Sequence, residues 1–143
     1  MAHIIIADDD EIVGEIACEA LIGAGDSAGV HSNGRDALRV IKSRNPDLAI
    51  LDCNMPEMNG LLVLRELRKS ADFYDLPILM LTGRTSEKDV EIAYHEGATD
   101  YMKKPFDPDE LAFRVGELLA KSRRPKPKVQ QTKQSGFGRL KTK

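Results

Sequence analysis

Long apolar stretches are missing from this sequence. The longest, such as Ile4–Ala7 and Pro77–Leu81, fall far short of the roughly 20 residues a membrane span needs. At Met1-Ala2-His3-Ile4 there is no basic segment leading into an apolar run and a cleavage site, so no secretory signal is read there. Cysteine is scarce. Cys18 and Cys53 are too few for a disulfide scaffold or a zinc cluster, and a reducing, cytoplasmic setting is expected. Acidic residues are absent from 121–143.

That last absence divides the chain. Residues 1–120 carry 12 Lys and Arg against 23 Asp and Glu, whereas residues 121–143 carry 9 Lys and Arg. The net charge of −2 therefore hides an acidic body and a basic tail, which call for separate arguments. The 143 residues favour one domain, and at this size roughly 70% of the unfolded surface can be buried. A composition of 41% hydrophobic and 31% charged residues reads as a soluble globular chain.

Five short apolar runs recur through the body: His3–Ala7, Ala28–His31, Leu48–Leu51, Ile78–Thr82 and Tyr101–Met102 with its neighbours. The first, third and fourth show no polar alternation, as expected of parallel strands covered on both faces. The second and fifth are assigned as strands mainly from the alternation of elements. Between the runs lie helical stripes: Ile12, Ile16, Ala20 and Ile22; Ala37, Leu38 and Ile41; Leu61, Leu64, Leu67 and Arg68; Val90, Ala93 and Tyr94; Leu111, Val115, Leu118 and Leu119. Asp10, Asn33, Ser86 and Asp107-Pro108 supply start signals, and Gly23, Gly25 and Gly97 supply stops. Five βα units in about 120 residues mean an α/β fold, an open doubly wound parallel sheet of five strands with five helices. In such sheets ligands sit at the carboxyl ends of the strands.

The residues standing there are polar. Asp8-Asp9-Asp10 follow the first strand, Asp52 the third, Thr82-Gly83 the fourth and Lys103-Lys104-Pro105 the fifth. Clustered carboxylates repel one another and are normally held together by a cation. Oxygen donors supplied by few protein groups suit Mg²⁺, which keeps waters and takes phosphate oxygens. A carboxylate can itself be a nucleophile that becomes an aspartyl phosphate, and phosphoryl transfer needs a metal, an ammonium and a hydrogen-bond donor. Asp8, Asp9, Asp52, Thr82 and Lys104 provide each part. Each also has an ordinary reading: Asp8 and Asp9 as helix caps, Asp52 as a turn residue before Met55-Pro56, Thr82 as a packed hydroxyl, Lys103 as a solvated charge. The joint pattern is much rarer than any part. His3, His31 and His95 do not cluster in sequence, no hydrolytic triad is evident, and Cys18 and Cys53 read as reduced and packed, Cys53 on the side of its loop away from Asp52.

These segments resemble a response-regulator receiver domain of two-component signalling, of the single-domain, chemotaxis-regulator-like kind. The resemblance rests on Ile4-Ile5-Ile6-Ala7-Asp8-Asp9-Asp10, on Leu51-Asp52-Cys53-Asn54-Met55-Pro56-Glu57-Met58-Asn59-Gly60, on Met80-Leu81-Thr82-Gly83 and on Gly97-Ala98-Thr99-Asp100-Tyr101-Met102-Lys103-Lys104-Pro105-Phe106. It runs from residue 3 to about 120 and implies a flavodoxin-like fold. It implies Asp52 as phosphoacceptor, charged from a phosphohistidine on a histidine kinase or a histidine phosphotransfer protein. Asp8, Asp9, Asp52 and the backbone carbonyl of Asn54 would hold Mg²⁺. Lys104 would pair with Asp52 at rest and with the phosphoryl group afterwards, and Lys104–Pro105 is a candidate cis bond. Thr82 and Tyr101 would switch, with the readout face over the fourth helix, fifth strand and fifth helix, about residues 86–120. Asn54 and Arg84 would tune the lifetime of the phosphorylated state in opposite directions. The downstream target is not identified, homodimer formation on phosphorylation is left open, and no separate substrate is turned over.

The alternatives are the receiver part of a longer transcription regulator and an aspartyl-phosphate phosphatase. The latter typically needs a second acid two residues after its nucleophile, where this sequence has Asn54. Residues 1–120 are thus expected to form the receiver and 121–143 a disordered basic tail or linker. The tail is too short for a helix-turn-helix domain. It is either solvated or a contact for an anionic partner: nucleic acid, an acidic protein or the body's own surface. Its Gly136-Phe137-Gly138 is not a nucleotide fingerprint.

Overall fold

A computed structural model describes residues 1–84 and 86–124. Strands and helices alternate strictly: β1 His3–Ala7, α1 Glu11–Gly23, β2 Ser27–His31, α2 Gly34–Arg44, β3 Leu48–Leu51, α3 Gly60–Lys69, β4 Ile78–Thr82, α4 Glu87–His95, β5 Asp100–Lys103 and α5 Pro108–Lys121. All neighbours in the sheet are parallel, in the order β2-β1-β3-β4-β5. The chain winds outward from β1 in one direction, then returns to β3 and winds in the other. The crevice between β1 and β3 is the place where such a fold opens to a ligand.

The pleat sorts the core into two layers. Ile4, Ile6, Leu48, Ile50, Leu79, Leu81 and Met102 face α1 and α5, where Ala17, Leu21, Leu111 and Val115 meet them. Ile5, Ala7, Ala49, Leu51, Ile78, Met80 and Tyr101 face α2, α3 and α4, against Ala37, Ile41, Val63, Leu64, Leu67 and Ala93. With both faces covered, β3 and β4 are buried at every position, which is why their sequences lack polar alternation. Asp10, Asn33, Asn59, Ser86 and Asp107 each accept a backbone N–H of the following helix. Gly25 (φ 99°) and Gly97 (φ 110°) take left-handed conformations just past α1 and α4.

The facing of α1 differs from the sequence expectation. Ile12, Ile16 and Ile22 are 67%, 40% and 55% exposed; the buried stripe is Gly14, Ala17 and Leu21. The cause is close approach to β2. A methyl on Gly14 would lie 2.8 Å from Val30 Cγ1, so the small residues turn inward and the isoleucines outward. On α4, Ala93 is buried while Tyr94 is exposed. Lys121 ends α5 rather than beginning a tail. Of the expected disordered tail, 121–143, residues 122–124 are described, and the part from 125 onward, including Gly136-Phe137-Gly138, lies outside the described residues.

Candidate functional site

The hydrogen-bond ladder continues one residue beyond three strands. Asp8 N donates to His31 O (3.0 Å), Asp52 N to Ala7 O (2.9 Å) and Lys104 N to Thr82 O (3.0 Å). The polar residues at the strand ends are thus fixed by the sheet rather than by flexible loops. Asp8, Asp52 and Thr82 are the buried polar residues of the described chain, 2%, 5% and 0% exposed.

Lys104 joins two of them. Its Nζ lies 2.7 Å from Asp8 Oδ2 and 3.2 Å from Asp52 Oδ2, so the closer partner is Asp8. Backbone donors take the other oxygens: Asp10 N to Asp8 Oδ1 at 2.9 Å and Asn54 N to Asp52 Oδ1 at 3.4 Å. Burial pushes the Asp8 carboxyl above its usual range, and Lys104 only partly offsets this. Burial opposes the charge on Lys104 as well, but the hydrogen bond to Asp8 and the charges of Asp52 and Asp8 outweigh it and raise the ammonium's pKa.

Asp9 is exposed and completes a cluster. One carboxylate oxygen from each of Asp8, Asp9 and Asp52 lies within 4.8 Å of the others. Three carboxylates around one ammonium leave an excess of negative charge, and an all-oxygen donor set of this kind fits Mg²⁺. Beside the cluster an open cleft of about 480 Å³ is lined by Asp8, Asp9, Glu11, Glu15, Val30 and Ser32.

Thr82 and Tyr101 form a second group. Thr82 Oγ1 accepts from Arg84 N at 3.2 Å, and the buried Tyr101 donates its hydroxyl to the carbonyl of Arg84. Cys53 is buried in the same layer as Tyr101, and burial pushes its thiol up. The Arg84 and Asn54 residues are exposed on the rim. Lys104–Pro105 is cis. Among the described residues no histidine side chain joins this set: His3 Nδ1 is 2.9 Å from Ser27 Oγ, and His31 meets Asp8 through its carbonyl while burial lowers the pKa of its ring.

Two features were not read from the sequence. Gly60, the first residue of α3, leaves room for the Asp52 backbone; a methyl there would stand 2.0 Å from Asp52 O. Gly34 likewise leaves room for the Met58 carbonyl, 1.8 Å from where its methyl would be. The only sequence signal was the helix-starting Asn-Gly at 59–60 and 33–34, which by itself marks a cap and says nothing of what lies against it.

The response regulator receiver domain family model matches residues 4–115. The chain is 41% identical over 120 residues to response regulator MprA of Mycolicibacterium vanbaalenii, covering 84% of this chain and 51% of that protein. It is 39% identical over 120 residues to the DNA-binding response regulator MtrA of Mycolicibacterium paratuberculosis, at 84% and 52% coverage. The chain therefore spans about half the length of these relatives. Among solved structures, a putative response regulator from Chloroflexus aurantiacus superposes with a TM-score of 0.80 at 35% identity, covering 84% of this chain and 98% of that one. Chemotaxis protein CheY4 of Vibrio cholerae gives 0.78 at 30% identity, with 82% and 98% coverage. Sequence, sheet order and the acid cluster at the β1–β3 crevice agree, and the chain belongs to the response regulator receiver domain family.

Proposed function

We propose that Asp52 accepts a phosphoryl group from a phosphohistidine donor, on a histidine kinase or a histidine phosphotransfer protein, and that the acylphosphate alters which partners the chain binds. The observation that carries this reading is the buried Asp52 carboxylate, sharing Lys104 with Asp8 and clustered with Asp9 at the sheet switch point. A carboxylate oxygen of Asp52 attacks phosphorus, the P–N bond breaks, and the leaving imidazole keeps the bonding pair and takes up a proton. Lys104 is placed to follow the charge onto the phosphoryl oxygens. Asp8, Asp9, Asp52 and the carbonyl of Asn54 would hold Mg²⁺, whose charge would help neutralise phosphoryl oxygens. No separate substrate is turned over. Water later cleaves the acylphosphate, with Asn54 orienting it and Arg84 shielding the group.

The donor has to cover the rim of the cleft to reach Asp52. There β2 offers the exposed Val30 beside Glu11 and Glu15 of α1, and the outward face of α1 adds the exposed Ile12 and Ile16, apolar side chains within reach of a protein partner. Phosphorylation adds charge next to Thr82, and Thr82 and Tyr101 pass the change to α4, β5 and α5. That face already carries a linked polar set. Tyr94 Oη donates to Asp100 at 3.2 Å, and Arg114 bridges Asp100 at 3.1 Å and Glu110 at 3.6 Å. The exposed Ile92 and Phe113 lie on the same elements, where a target or a second copy of the chain would dock. Among the described residues no helix is long and apolar enough to cross a membrane, and the proposed setting is the cytoplasm.

The test is exposure to acetyl phosphate with and without Mg²⁺, read by intact mass, for wild type and Asp52→Asn. A phosphoryl adduct on wild type alone, dependent on Mg²⁺, is expected; an adduct that persists in Asp52→Asn sinks the assignment. A second reading, the receiver part of a longer DNA-binding regulator, is favoured by the half-length match to MtrA. Sequencing the reading frame past residue 143 decides between the two. In either case residues 1–120 would act as the receiver, and the basic segment beyond would be a linker or an anion contact.

A further inference from the structure

We propose that one carboxylate, Asp75, is contested by two arginines, and that Arg124 docked on it holds Arg68 against the turn that ends α4. The contest lies at the end of the sheet opposite the acid cluster. Beyond α5, residues 122–124 cross beneath the sheet toward the layer of α2 and α3. Arg124 Nη1 donates to Asp75 Oδ1 (2.7 Å) and to Asp72 O (2.9 Å), and Nη2 donates to Asn45 Oδ1 (2.6 Å). Its guanidinium carbon sits 5.8 Å from the centroid of the Phe73 ring. The side chain is only 13% exposed.

Arg68 approaches the same loop from α3. Nη1 donates to Phe73 O (2.9 Å), Nε to Gly97 O (2.9 Å) and Nη2 to Thr99 Oγ1 (3.4 Å). All three acceptors are neutral oxygens. Among the described residues Arg68 makes no ion pair, although burial disfavours its charge while Asp75 attracts it and Arg124 repels it. A desolvated guanidinium with neutral partners, next to an acid already taken, has a better site available as soon as that acid is vacated. The turn it would leave is shaped around it. Gly97 is left-handed, and a methyl there would stand 2.9 Å from Arg68 Cγ.

Release of residues 122–124 therefore lets Arg68 move to Asp75 and loosens the α4–β5 turn. An anionic partner that drew Arg124 off the acid would be felt at α4. The significance of that for signalling rests on the readout face proposed above; the coupling itself does not, and its test needs no phosphorylation.

Hydrogen exchange of the full chain, read by mass spectrometry, supplies that test. Arg124→Gln should speed exchange across 97–99, where Ala98 N bonds Ala93 O and Thr99 N bonds Ile78 O, by roughly fivefold or more. Amides of β3 serve as the internal reference for global stability. Asp75→Asn should free 122–124 while leaving 97–99 protected, because Arg68 then has no acid to move to. The double variant Arg124→Gln/Asp75→Asn should return 97–99 to the wild-type rate. Unchanged exchange at 97–99 in Arg124→Gln overturns the coupling. So does fast exchange there in Asp75→Asn or in the double variant.

Discussion

Removing the charge of Asp8 should make the metal-free protein more stable and deprive it of its response to Mg²⁺. Carboxylate oxygens of Asp8 and Asp52 lie within 4.8 Å, a repulsion of at least about 3.5 kcal/mol at an effective dielectric constant near 20. Lys104, at 2.7 Å from Asp8, returns more than that. Burial exceeds what remains of the attraction, since it is the largest cause acting on Asp8 and leaves its carboxyl raised above 3.8. A carboxyl raised in the fold binds its proton more tightly folded than unfolded. Stability from this group is therefore greatest below 3.8 and declines as pH rises through the raised value, so at pH 7 the Asp8 charge is a cost. Asp8→Asn removes that cost and keeps an oxygen for Asp10 N.

The assay is thermal denaturation at pH 7 across a Mg²⁺ titration. In wild type, Mg²⁺ at a hundred times its Kd adds about 2.7 kcal/mol, a rise in Tm of roughly 10 °C for a domain of this size. Asp8→Asn should melt above wild type without metal and lose most of the Mg²⁺-dependent rise. Lowering the pH from 7 toward 4 should narrow the gap between the two metal-free proteins. Lys104 itself stays charged throughout this range, because its pKa is raised above the ordinary value of 10.5. An Asp8→Asn protein that melts below wild type without metal, or that Mg²⁺ stabilises equally, refutes the reasoning.

Gly60→Ala forces a methyl to 2.0 Å from Asp52 O; it should cost about 1–3 kcal/mol in urea denaturation and slow phosphorylation by acetyl phosphate. Tyr101→Phe removes the hydroxyl bonded to Arg84 O, with a cost of about 1 kcal/mol. Phosphorylation should be unchanged, while the amide shifts of α4 on beryllofluoride binding shrink; full-sized shifts would remove Tyr101 from the switch. Asn54→Ala should slow loss of the phosphoryl group and Arg84→Ala should speed it, followed by the decay of labelled protein. Matching decay in both variants and wild type would leave neither residue a role in lifetime.

Much of the fold was legible because burial on both faces writes itself into sequence. β1, β3 and β4 are unbroken apolar runs, whereas β2 and β5 are edge strands and were recoverable only from the alternation. The facing of α1 was misread because its contact with β2 depends on small residues, Gly14 and Ala17. Hydropathy gives weight to isoleucine and little to the absence of a side chain. The acids and Lys104 were legible as strand-end residues, but the closer pairing of Lys104 with Asp8 is a matter of rotamers and distances. Arg124 was hidden for a different reason. It stands in a run of like charge that reads as solvated, and its partners Asn45, Asp72 and Asp75 come from two distant loops.

The alternation of side chains along a strand has a consequence at the very edge of the sheet. Asp8, Asp52 and Lys104 continue the parity of Ile6, Ile50 and Met102, which point toward α1 and α5. Cys53, Thr82 and Tyr101 continue that of Leu51, Met80 and Tyr101 itself, toward α2, α3 and α4. Asp8, Asp52 and Lys104 are thus dealt to one side of the plane and Cys53, Thr82 and Tyr101 to the other, with the single peptide bond between Asp52 and Cys53 as the boundary. On the function proposed above, acquisition of the signal and its report would become separable traits, each free to vary by substitution on its own side. A chain could keep its donor while changing its listener.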